Sequence, residues 1–116
     1  ILSADSMRAC RLVVDTGLHA FGWSRAEAID FVAANSPLDT VLIAGEVDRY
    51  IGMPGQACSY MMGRLAIDEI RADAERALGE RFDIRRFHDV VLGSGSIPLE
   101  ALRGVVAAWT ADVESA

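Results

Sequence analysis

Three sets of side chains in this 116-residue chain have the types and spacing to do chemistry. Arg8, Arg11, Asp15 and His19 follow one another at three- and four-residue steps, so on a helix they share one face. As a solvated face this stripe is a row of ion pairs worth about a few tenths of a kcal/mol. As the wall of a cleft, it would have Asp15 orient His19 and the arginines meet a carboxylate. The second set is Glu46, Asp48, Arg49 and Tyr50, just ahead of Met53-Pro54-Gly55. A tyrosine hydroxyl stays protonated near neutral pH and can donate to a developing oxyanion, while Glu46 and Arg49 can pair at i, i+3 and steady their helix. The plainer alternative is an interfacial tyrosine beside an exposed ion pair. The third set, Gln56, Ser59 and Tyr60, sits in a stretch with no charge between Pro54 and Gly63. Buried polar groups need partners, so these three either bond within a core or line a polar cavity.

Other chemistries lack their residues. The zinc-protease pattern H-E-x-x-H, which sets two imidazoles on one helix face, is absent. His19 and His88 are the two histidines, and neither has a His or Cys at ligand spacing, so no metal site is expected within this chain. There is no G-x-S-x-G elbow, P-loop or dinucleotide-binding turn, and Gly93-Ser94-Gly95-Ser96 reads as a connection between helices. Cys10 and Cys58 lie in apolar stretches without C-x-x-C spacing and are expected as buried thiols. A net charge of −6, with acidic residues interspersed throughout, argues against a nucleic-acid partner. No apolar run approaches the ~20 residues that span a bilayer, and the N-terminus lacks the order of a signal peptide. A cytoplasmic protein is therefore expected, with export of any longer parent left open. The chain opens at Ile1 without a Met, as a fragment would.

The elements that must position these residues are helices. Apolar residues at 52% and charged residues at 24% are a globular composition, and the length suits one domain, 1–116, with one core. No stretch keeps a period-two alternation, so the expected class is all-α, an irregular bundle of about five to six helices. The first should cover Ser3 to about Leu18, burying Met7, Cys10, Val13, Val14 and Leu18. Ser24 with Glu27 is a capping box for a short helix that ends near Asn35. Ser36-Pro37 should start a third, with Val41, Ile43, Val47 and Ile51 apolar. Pro54 should open the longest helix, closed by Gly79, with its charge-free first half buried. Beyond it, Arg64, Asp68, Arg71 and Glu75 mark a solvated face, and Ile67, Ile70, Ala74 and Leu78 an inward one. Asp83 caps a fifth helix that packs Ile84, Phe87, Val91 and His88. Pro98 starts the last, whose stripe is Leu99, Leu102, Val105, Val106 and Trp109.

Arg8-x-x-Arg11-Leu12-Val13-Val14-Asp15-Thr16-Gly17-Leu18-His19, Gly22-Trp23-Ser24 and Glu27-Ala28 resemble the C-terminal part of the bacterial domain-of-unknown-function-885 family. Glu46-x-x-Arg49-Tyr50, Pro54-Gly55-Gln56-Ala57-Cys58-Ser59-Tyr60, Phe87-His88-Asp89 and Pro98-Leu99 are similar to it in the same order. The resemblance implies a mostly helical protein likened to zinc peptidases of the thermolysin-related helical type, whose His-Glu metal motif lies well upstream. It further likens Arg49-Tyr50 to the Arg-Tyr of the dipeptidyl carboxypeptidase group, in which the tyrosine stabilises the tetrahedral intermediate. On that basis Tyr50 is the candidate catalytic residue and Tyr60 its competitor, with His19, Arg49 and Gln56 as substrate contacts. Zinc is implied for the longer protein and no cofactor for this chain. The implied partners are the missing N-terminal part and a peptide substrate. A different class of function is a non-catalytic interaction module, dimerising through the apolar Met53–Gly63 region.

Overall fold

A computed structural model describes residues 2–116 of the chain, with side chains from residue 4 onward. The described residues form six helices and no strand: α1 (Leu2–Ala20), α2 (Arg25–Asn35), α3 (Thr40–Gly52), α4 (Ser59–Leu78), α5 (Ile84–Gly93) and α6 (Leu99–Ser115). Short 3-10 turns at Gln56–Cys58 and Gly79–Arg81 precede and follow α4. The all-α expectation holds. Where the length suggested one core, the apolar side chains gather in two clusters, one in each of two compact units, Ile1–Met62 and Gly63–Ala116.

The first unit packs α1, α2, α3 and the Gln56–Cys58 turn around Met7, Cys10, Val14, Ala28, Val32, Ile43, Val47, Tyr50 and Ala57. The α1–α2 corner is tight because Gly17 has no side chain. A Cβ there would overlap the Trp23 indole, whose backbone N–H donates to the Gly17 carbonyl at 2.9 Å. Ser24 and Glu27 form the expected capping box, which satisfies N–H groups that a helix start leaves unpaired.

α3 begins at Thr40 rather than at Pro37. Ser36 is extended, as a residue before proline prefers, and the Asp39 carboxylate accepts the Val41 N–H at 2.8 Å, so the stronger cap sets the start. The long helix likewise starts at Ser59 and not at Pro54. Gly55 has φ +80°, a left-handed conformation that no continuous helix can include, and it turns the chain between α3 and α4. The charge-free Met53–Gly63 stretch is not the buried segment expected. Ala57 is buried, but Met53, Tyr60 and Met62 are 50%, 46% and 54% exposed.

In the second unit Ile70, Ala74, Phe87, Leu102 and Val106 form the core, and Phe82 and Trp109 pack around Phe87 at ring separations of 6.0 and 6.4 Å. Arg64–Asp68 and Arg71–Glu75 pair along the exposed face of α4, while Ile70, Ala74 and Leu78 turn inward. Asp83 caps α5 through the Arg85 and Arg86 N–H groups. Arg81 donates to the carbonyls of Val113 and Glu114, partners for the last turn of α6. His88, expected to pack, is exposed, and Val13, Val41, Ile51, Leu99 and Val105 are also not covered. In each helix the buried stripe is narrower than the apolar pattern.

Candidate functional site

On α1, Arg11, Asp15 and His19 stand at successive four-residue steps, and each grips a different part of the chain. Arg11 donates from Nη2 to Glu46 Oε2 at 3.1 Å and from Nε to the Tyr50 hydroxyl at 3.2 Å. Asp15, only 4% exposed, accepts the Gly55 N–H on both oxygens, at 3.0 and 3.1 Å. His19 Nε2 lies 2.9 Å from the Tyr50 carbonyl oxygen. That oxygen can only accept, so Nε2 carries the proton. The three together fasten α1 to the last turn of α3 and to the corner after it. Of the two readings of this stripe, the cleft-wall one would have Asp15 orient His19; instead Asp15 holds the Gly55 N–H and His19 the Tyr50 carbonyl. Arg8 is outside the site and pairs with Asp5 at 3.3 Å.

Glu46 is the hub. Its Oε2 accepts from Arg11, from Arg49 Nη2 at 3.1 Å and from the Tyr50 hydroxyl at 2.9 Å, and its Oε1 accepts from Arg49 Nε at 3.3 Å. The Arg49 hydrogen bond holds the Glu46 carboxyl below its ordinary 4.5, with help from Tyr50 and Arg11 and against the upward push of burial. Arg49 is raised in turn by Glu46. Tyr50 is fully buried, and burial first, then its bond to Glu46, pushes its hydroxyl up to about 12 although Arg11 pulls the other way. The phenol is thus a proton donor throughout the range in which proteins work.

From this hub the network runs outward. Arg49 Nη1 donates to Gln56 Oε1 at 2.5 Å, and Gln56 Nε2 donates to the Tyr60 hydroxyl at 3.5 Å. The Arg11 guanidinium lies over the Tyr60 ring, 4.7 Å from its centre, and that of Arg49 lies 5.1 Å from the centre of Tyr50. Arg11, Arg49 and Glu46 sum to one positive charge, next to an exposed phenol. Such a group can hold an anionic or carbonyl oxygen and donate hydrogen bonds to it. Ser59 stays out of it, donating to the Gln56 carbonyl.

The structure brings Arg49, Tyr50, Gln56 and Tyr60 into one hydrogen-bonded group, with His19 at its backbone edge. Arg11 and Asp15 belong to the polar stripe singled out in the sequence, but their partners were not visible there. Arg11 meets Glu46 across 35 residues, and Asp15 meets a backbone N–H across 40. The four-residue step of Arg11, Asp15 and His19 was the available signal. Among the described residues no three His, Cys, Asp or Glu side chains converge as they would around a metal ion, so these residues do not fit a zinc site of their own. Cys10 and Cys58 are free thiols, both raised chiefly by burial, with Asp15 adding to the effect at Cys58.

A solved structure described as "the putative lipoprotein from Colwellia psychrerythraea" is 40% identical and superposes with a TM-score of 0.94 over 96% of this chain. The chain spans 19% of the length of that structure's chain. A search of curated proteins finds no match. No helix among the described residues is long and apolar enough to cross a membrane. With a family profile matching residues 1–106, the chain belongs to the family described as bacterial protein of unknown function, DUF885.

Proposed function

We propose that this chain forms the substrate-side wall of a cleft in a longer, zinc-dependent peptidase-like hydrolase. One observation carries the reading: a continuous set of hydrogen bonds leads from the buried Tyr50 and the half-buried Glu46 through Arg49 and Gln56 to the exposed Tyr60. As a peptide carbonyl becomes tetrahedral, negative charge develops on its oxygen, and Tyr60 donates its hydroxyl hydrogen bond there. Arg49 and Gln56 hold a neighbouring substrate oxygen. Tyr50 takes the inner position, since its hydroxyl must leave Glu46 before it can reach an oxyanion. His19, anchored through Nε2, offers substrate its other ring edge. Zinc belongs, in this reading, to residues outside this chain, and the residues present assign no step to it.

The test is peptide hydrolysis by the full natural protein. We predict that it cleaves members of a mixed peptide library, carries about one zinc per chain, and loses turnover when a chelator removes the metal. A metal-free protein with no hydrolysis of any peptide overturns the reading. The relative described as a lipoprotein sets an exported location against the cytoplasmic one expected from the sequence, and cell fractionation separates the two.

A second reading, a helical interaction module, is favoured by the exposure of Met53, Tyr60 and Met62. It predicts a concentration-dependent dimer of the full protein in sedimentation. A monomer at all concentrations counts against it.

A further inference from the structure

One side of α3 is buried and the other is bare. Ile43, Val47 and Tyr50 point into the first core, and on the opposite side of the helix, at 3.6 residues per turn, lie Val41, Gly45, Asp48 and Gly52 with Leu42 beside them. Val41 is 77% and Leu42 60% exposed, and open space surrounds the positions a Cβ would take at Gly45 and Gly52. A helix face that stays in water gains stability from Ala, Glu, Lys or Arg and loses it from glycine, so this row suits solvent poorly. Its one ionised member, Asp48, is matched by Arg25 of α2 at 2.6 and 3.0 Å. Two glycines a heptad apart, on either side of the Asp48–Arg25 pair and with bare Val41 and Leu42 at the N-terminal end, leave low points on this face where a second helix can approach closely.

We infer that this face seats a helix from the remainder of the same polypeptide, packed across Gly45 and Gly52 and flanked by Val41 and Leu42. Two observations select that occupant. The matched relative has most of its length outside this fold, since this chain spans 19% of it. The row itself covers on the order of 200 Å² on a helix about 20 Å long, whereas each partner in a stable dimer buries about 800 Å². A covalently attached segment needs no such area, because its effective concentration is high. The inference stands whether or not the protein hydrolyses peptides.

The test uses the full natural protein carrying Val41→Cys or Gly45→Cys as its sole cysteine, with maleimide labelling rates measured folded and in denaturant. Protection of about tenfold or more in the folded state is expected at both positions, at dilutions where sedimentation shows a monomer. Labelling at the denatured rate overturns the inference, and so does protection that disappears on dilution, which assigns the face to a second copy. Hydroxyl-radical footprinting of the unsubstituted protein gives an independent measurement if the variants fail to fold. Leu42 should be protected there, and modification at its unfolded rate contradicts the inference.

Discussion

Tyr50 shows how burial changes what a side chain can do. Its ring is buried, and its hydroxyl accepts from Arg11 and donates to Glu46 at the partly exposed edge of the core, so Tyr50→Phe removes a donor and an acceptor at once. We predict a loss of about 1–2 kcal/mol in chemical denaturation, with the fold retained. Glu46 makes a different prediction. Its folded-state carboxyl titrates below the ordinary 4.5, so its contribution to stability is complete above that pH and is lost as pH falls through the lower folded value. An acid titration followed by circular dichroism should show Glu46→Gln less stable than wild type near neutrality, with the gap narrowing toward low pH. A constant gap contradicts the assignment. The types of these residues and their spacing on α3 were legible in the sequence. Their partners on α1 were not, because local periodicity places residues on a helix face without saying which helix faces it.

At the scale of elements, the corner between α1 and α2 depends on an absent side chain. Gly17→Ala forces a Cβ into the Trp23 indole, and we predict destabilisation of about 1–3 kcal/mol with an altered tryptophan emission spectrum. Unchanged emission and stability would mean that Trp23 does not rest there. Caps were the most readable part of the sequence: Ser24 with Glu27 and Asp83 each begin the helix that their chemistry predicts. Ser24→Ala should cost about 1 kcal/mol in the same denaturation assay. Prolines misled where a stronger signal stood nearby. Asp39 outcompetes Pro37 for the start of α3, and the left-handed Gly55 moves the start of α4 past Pro54. A proline permits a helix start, but a side chain that accepts a backbone N–H fixes one.

At the scale of the molecule, the all-helical class followed from periodicity, but the division into two units did not, since both clusters draw on the same kinds of apolar stripe. The absence of charge from Met53 to Gly63 suggested burial, and the exposure of Met53, Tyr60 and Met62 shows why that inference failed: an apolar stretch faces whatever surface the fold gives it, core or open. The open edge of the network, at Tyr60, is the proposed substrate position. In the proposed site Tyr60, and not Tyr50, supplies the outward hydrogen bond, and the turnover of Tyr60→Phe in the full natural protein decides between them. We predict a fall in kcat of about 10²–10³ with KM and thermal stability little changed, the size expected for loss of one oxyanion donor. Undiminished kcat in that variant rules out Tyr60 as the oxyanion donor.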